Sequence, residues 1–113
     1  MRSARLIVRI PALGRVLAPA QLVISIEDTR RQDAPAVVVA RLQFDLDELD
    51  ATEPAELILD CPLPAERRSY EVGAVLHLHR DGVLRQGDLT NVVAVTVRES
   101  AVAEVPLVRV PEP

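Results

Sequence analysis

Few residues in this chain have the types and spacing that chemistry needs. The segment "LHLHR" holds both histidines, His77 and His79. Two positions apart on an extended chain, they share one face of a strand, about 7 Å from each other. Such a pair ligates zinc or copper when a neighbouring strand adds a third group. Leu76 and Leu78 alternate with them and take the core side, so both rings are expected to face solvent or a groove. Two ligands do not define a site, and the plainer reading is two polar residues on a wet face.

The other candidates are weaker. Asp45, Asp47, Glu48, Asp50 and Glu53 form an acidic run, but it lacks the glycine and the distal glutamate of a calcium loop. It reads as a solvated connection. Ser25, Ser69 and Ser100 have no credible His–Asp partnership, because both histidines belong to one strand. Only Gly14, Gly73, Gly82 and Gly87 are available for a phosphate loop, and no motif uses them. Cys61 is the one cysteine, which excludes an intrachain disulfide and a Cys-rich metal site. It sits in an apolar segment before a proline and reads as a buried, inert thiol. No catalytic residue and no cofactor is assigned.

Composition narrows the function further. The chain has 113 residues, the length of a single domain spanning 1–113 with a core over about 4–110. Burying roughly 65% of the unfolded surface supplies a modest core without staples. Half the residues are apolar, yet Phe44 and Tyr70 are the only aromatics. Valine and leucine dominate, which favours pleated, half-buried strands. A base-stacking protein needs more aromatics. The net charge of −4, with arginine supplying every side-chain cation, argues against nucleic acid and against an anionic membrane surface. Arg9, Pro11 and Arg15 interrupt the apolar residues of the first twenty, so no membrane span is expected. As written, the chain is expected to be cytoplasmic; a removed leader or lipid anchor would place it in the envelope.

The elements that position these residues are strands. "ARLIVRI" (4–10), "QLVISIED" (21–28), "AVVVARLQF" (36–44), "AELILD" (55–60), "SYEVGAVLHLHR" (69–80), "LTNVVAVTVRE" (89–99) and "AEVPLVRV" (103–110) all alternate in character. Each supplies one core face and one wet face. Leu6, Val8 and Ile10, then Leu22, Ile24 and Ile26, then Leu57 and Leu59, then Tyr70, Val72, Ala74, Leu76 and Leu78 are the expected core. Residues 45–54 read as a loop between sheets, and 65–68 as at most one helical turn. Asp81-Gly82 signals a hairpin, with a short strand possible at 83–85. Pro106 cannot donate to a ladder and demands an edge strand or a bulge. The prediction is an all-β, seven-to-eight-stranded, mostly antiparallel Greek-key β-sandwich.

Residues 26–44, "IEDTRRQDAPAVVVARLQF", pose a question of their own, because charges crowd ahead of an apolar run. Asp28, Thr29 and Asp33 are types that can hydrogen-bond nearby backbone, and proline at 35 restricts the residue before it to extended geometry. Arg30 and Arg31 are then expected to point to water, so turn chemistry accounts for the cluster. The stretch "LAPAQLVISIEDTRRQDAPAVVVA" (17–40) also resembles the YbaY-like lipoprotein domain, with its "EDxSRxDAPA"-like turn. "LDCPLPAERRSYEVGAVLHLHRDGVL" (59–84), "GDLTNVVAVTV" and "VPLVRV" are similar to its later strands, so the likeness spans about residues 6–110. The resemblance implies a β-sandwich related to YscW, the type III secretion pilotin or chaperone. Members of that bacterial family are mostly lipid-anchored envelope proteins. YscW-type proteins bind a partner, the outer-membrane secretin. The family supplies no catalytic residues.

Outward-facing apolar side chains carry the best functional lead. Val23, Val37, Val39, Ile58 and Val75 fall on faces assigned to water. An apolar wet face is covered by a loop or a partner. The first reading is therefore a non-enzymatic protein-binding or chaperone-like sandwich, using a sheet face or an edge strand toward a protein partner or a second copy. The alternatives are a small-molecule or metal-binding domain near His77 and His79, and a small cytoplasmic enzyme with a pocket between the sheets.

Overall fold

Alternating sequence patterns become paired strands wherever their apolar faces can meet. A computed structural model describes residues 3–28, 37–63, 70–78, 87–92, 95–98 and 100–110, with Val37 described by its backbone alone. The expected hairpin at Asp81-Gly82, the strand at 83–85, the turn at 65–68, the charged connection holding Arg30, Arg31 and Asp33, and His79 all lie outside the described residues.

A three-stranded sheet contains β1 (Ser3–Ile10), β6 (Ala55–Pro62) and β10 (Val102–Pro106). β1 lies in the middle, antiparallel to β6 and parallel to β10. A larger sheet contains β3 (Ala20–Asp28), β4 (Val37–Leu46), β7 (Tyr70–His77), β8 (Leu89–Thr90), β9 (Val95–Val97) and β11 (Val108–Arg109). Its order is β11-β8-β7-β3-β4, with β9 also on β7, and every pairing in it is antiparallel. The two sheets face each other across one core, giving an all-β, mostly antiparallel sandwich. The chain changes sheet between β1 and β3, between β4 and β6, and again after β6, β9 and β10.

The core follows the predicted alternation, except that Leu57, Leu59 and Leu78 pack on it only half-buried. Leu6, Val8 and Ile10 of β1, Leu22, Ile24 and Ile26 of β3, and Tyr70, Val72, Ala74 and Leu76 of β7 are buried in it. Each fully buried aliphatic side chain contributes about 1.5–3 kcal/mol by leaving water. Cys61 is buried among them, and burial pushes its thiol above the ordinary range.

Three expectations about elements need correction. Residues 45–54 are not one loop: β4 continues to Leu46, and β5 (Leu49–Ala51) follows. β5 pairs with β2 (Arg15–Leu17), and Leu17 and Ala51 are buried against the core. Three-residue strands are too short to show a period. Within the pattern at 89–99 the described strands are two, β8 and β9, each paired with β7. Asn91, just after β8, is held to β7 by backbone and side chain: its N–H donates to the Ala74 carbonyl at 3.3 Å, Ala74 N–H donates to Asn91 Oδ1 at 2.8 Å, and Asn91 Nδ2 donates to the Val72 carbonyl at 3.0 Å. The pattern at 103–110 is divided between the sheets, β10 in one and β11 in the other. Pro106 ends β10, an edge strand, as a residue without an N–H donor requires.

Candidate functional site

Each sheet ends in a long strand with a single hydrogen-bonded neighbour among the described strands. In the three-stranded sheet this is β6, paired only with β1. In the larger sheet it is β4, paired only with β3. β10 at the other end of the small sheet approaches β9, so β4 and β6 flank the opposite side of the sandwich. Their inward residues are incompletely covered. Leu42 and Phe44 of β4 and Leu57 and Leu59 of β6 pack on the core yet remain only half-buried.

The outward row of β6 is Glu56, Ile58 and Asp60. Ile58 is 62% exposed. On the same outer face, β1 places Arg9 beside Glu56, Ile7 beside Ile58 and Arg5 beside Asp60. Arg9 pairs with both Glu56 and Glu104 of β10, and Arg5 Nε lies 3.4 Å from Asp60 Oδ1. The hydrogen bond to Glu104, followed by the charges of both glutamates, raises the Arg9 guanidinium above its ordinary range. The result is an exposed Ile58 beside a half-buried Ile7, framed by ion pairs, with exposed Val102 of β10 beyond Arg5. Exposed pairs stabilise by at most about 1 kcal/mol, so they orient side chains without carrying the fold.

The proposed partner-binding residues have different surroundings. Ile58 is exposed on an edge strand, and Val39 is 40% exposed on β4. Val75 is half-buried, and the Val37 side chain lies outside the described residues. Val23 is on the outer face of its sheet as expected, but it is only 5% exposed. The reason is position: β3 is flanked on both sides, so Gln43 and Val75 stand beside Val23 in register.

His77 also departs from expectation. It lies on the outer face of β7 but is 4% exposed, against Asp88, which is 1% exposed. Asp88 Oδ1 accepts the Leu78 N–H at 2.9 Å, and its Oδ2 lies 3.2 Å from His77 Nδ1. A carboxylate there takes the proton-bearing Nδ1 as donor. Gln21, also buried, is the β3 partner of His77, and its Nε2 donates to Asp45 Oδ1 of β4 at 3.1 Å. A polar row thus crosses three strands, buried at His77 and Gln21 and reaching the surface at Asp45. It lacks a nucleophile: Ser25 pairs with Gly73, four residues from His77 along β7, about 13 Å away.

Of the acidic run, Asp45 holds Gln21, while Asp50 accepts hydrogen bonds from Thr52 Oγ1 at 2.6 Å and Thr52 N–H at 3.0 Å. Those bonds lower the Asp50 carboxyl below its ordinary range. No group of three metal-ligating side chains occurs among the described residues. A shallow groove of about 380 Å³ runs over Gly73, lined by Ser25, Glu27, Glu71, Thr90 and Asn91 among others. Sequence reasoning missed Asp88, Gln21 and Asn91 as polar anchors. The signal was faint, since each works through a strand pairing.

Two long half-covered edge strands, one of them carrying an exposed Ile58 between ion pairs, distinguish this all-β sandwich, and no catalytic group is assembled among the described residues. The chain is similar in fold to an alternative pilotin from the type II secretion system of Vibrio cholerae, at 19% identity, over 97% of each chain, with a TM-score of 0.57. No family model and no curated protein matches it. No helix among the described residues is long and apolar enough to cross a membrane.

Proposed function

We propose that this chain is a non-enzymatic, chaperone-like binding protein that takes up an extended segment of a client protein along β6. The observation that carries the reading is the state of that strand. β6 offers eight residues of edge with one bonded neighbour among the described strands, its inward Leu57 and Leu59 half-covered and its outward Ile58 exposed. A strand added there gains main-chain hydrogen bonds, and alternate side chains reach the half-covered leucines and the exposed Ile58. The fold likeness to a pilotin, and the sequence resemblance to the YbaY-like domain with the relation to YscW that it implies, support a client belonging to an envelope secretion assembly.

The test uses the full chain and overlapping peptides that tile an outer-membrane secretin, followed by fluorescence anisotropy and amide hydrogen exchange. Binding should protect amides within 55–62. Ile58→Glu, which adds a third acidic side chain to an exposed row, should abolish binding while leaving the unfolding midpoint nearly unchanged. Absence of any bound peptide, or protection elsewhere with β6 unaffected, sinks the reading.

A further inference from the structure

The second edge, β4, has one bonded neighbour among the described strands and carries a different charge pattern, from which we infer that it is a self-association edge, joining two copies of this chain antiparallel about a two-fold axis at Gln43. The inference stands on β4 alone and is independent of the client reading of β6.

Strand geometry restricts the choices. In an antiparallel pair related by a two-fold axis, residues equally distant from the axis in opposite directions face each other. With the axis at Gln43, Arg41 faces Asp45 of the second copy, and Asp45 faces its Arg41. Gln43 faces Gln43, and two carboxamides can donate to and accept from one another. On the inward face, Leu42 meets Phe44 of the second copy, twice. Arg41, Gln43 and Asp45 are all exposed on one face of β4, and Leu42 and Phe44 are half-buried on the other. Arg41 makes no ion pair among the described residues. Asp45 is braced from behind, since the buried Gln21 amide holds its Oδ1.

One register satisfies both faces. With the axis at Leu42, Arg41 faces Gln43 and the two charges miss each other. With the axis at Phe44, Asp45 faces Gln43, and Arg41 faces Asp47, beyond the end of β4. Opposite charges directly across a pair stabilise it, and like charges destabilise it. The match at Gln43 therefore selects register as well as partner, and joins two six-stranded sheets into one continuous sheet. Free edges are usually guarded against this outcome by charge. β6 has such a guard: the two-fold register centred on Ile58 sets Glu56 against Asp60. β4 has charges that invite its own copy.

The experiment is sedimentation velocity on the full chain, from low micromolar to about millimolar concentration. The wild type should shift from monomer to dimer as concentration rises. Arg41→Asp and Asp45→Arg should each weaken association by about tenfold or more, because each converts two attractive pairs into two repulsive ones. The double variant R41D/D45R should dimerise again, and the two single variants mixed in equal amounts should form a heterodimer. A second measurement does not depend on the charges. Gln43→Cys sets two thiols on the axis, with Cα atoms about 4.5–5.5 Å apart, within disulfide reach. It should crosslink under mild oxidation, whereas Ile58→Cys should not. A wild type that stays monomeric throughout, single variants that associate as well as the wild type, or a double variant that remains monomeric overturns the inference.

Discussion

β4 and β6 are the last strands of their sheets, similar in length and similarly half-covered on the inner face, but their outer rows carry opposite instructions. β4 presents Arg41, Gln43 and Asp45, a row of mixed sign that maps onto itself under a two-fold rotation. β6 presents Glu56, Ile58 and Asp60, a row of one sign that repels itself under the same operation. Their support differs too. Asp45 is tied to buried Gln21, whereas Glu56 and Asp60 are balanced by exposed Arg9 and Arg5. An unpaired edge is a hazard that proteins manage with charge. If both proposals hold, two edges managed differently on one sandwich take different occupants: a copy of the chain on one side and a foreign strand on the other.

The comparison requires that both edges hang on a rigid frame and are themselves open. The largest expected effects test this. Ile24→Ala in β3 and Leu6→Ala in β1, both fully buried, should each cost about 2–5 kcal/mol in urea unfolding. Leu42→Ala and Leu57→Ala, at the half-buried edges, should cost only about 1 kcal/mol each, since part of the lost contact was already with water. If the edge leucines cost as much as the central residues, the edges are sealed in solution and neither is available to a partner.

How legible this was in the sequence depended on range. Leu22, Ile24 and Ile26 announce a buried face through a period of two that needs no knowledge of neighbours, and they are buried as read. β2 and β5 were hidden because three residues carry no period, and only the folded chain pairs them and buries Leu17 and Ala51. Val23 and Ile58 looked alike, apolar residues on outer faces. They differ because β3 is central and β6 is terminal, and strand order is a long-range property that alternation does not encode. His77 was misjudged for the same reason. Its burial depends on Asp88, which β8 brings alongside β7. The self-complementary row of β4 was present in the letters all along, but it gains meaning only once β4 is known to be an edge.

An intermediate effect sharpens the contrast in support. The polar row behind β4 ends at Asp88, whose carboxylate serves both Leu78 N–H and His77. Asp88→Ala leaves these buried groups unsatisfied and should cost about 1–3 kcal/mol. Asp88→Asn keeps an acceptor for Leu78 and should cost less. Both are read by chemical denaturation. No buried polar row of this kind lies behind β6 among the described residues, and Arg5→Ala there should fall within about 1 kcal/mol. An Arg5→Ala cost equal to that of Asp88→Ala would erase the difference in support.

The smallest effect concerns pH and asks whether β6 holds together as a continuous edge. Cys61, near its end, faces inward opposite Ala4 of β1 and is fully buried. Burial raises its thiol pKa, because the thiolate is disfavoured away from water. The unfolded thiol ionises at its ordinary value of about 8.5. Above that pH the unfolded chain loses a proton that the folded chain keeps, so the thiol's contribution to stability is complete below the ordinary value and declines as pH rises toward the folded one. Urea midpoints taken between neutral and mildly alkaline pH should therefore fall more steeply for the wild type than for Cys61→Ala, and native protein should react with a thiol reagent only slowly. Parallel midpoints together with rapid labelling would mean that β6 frays from β1 at this end. Its edge would then be too short to hold an added strand, and the contrast with β4 would reduce to one stable edge and one mobile one.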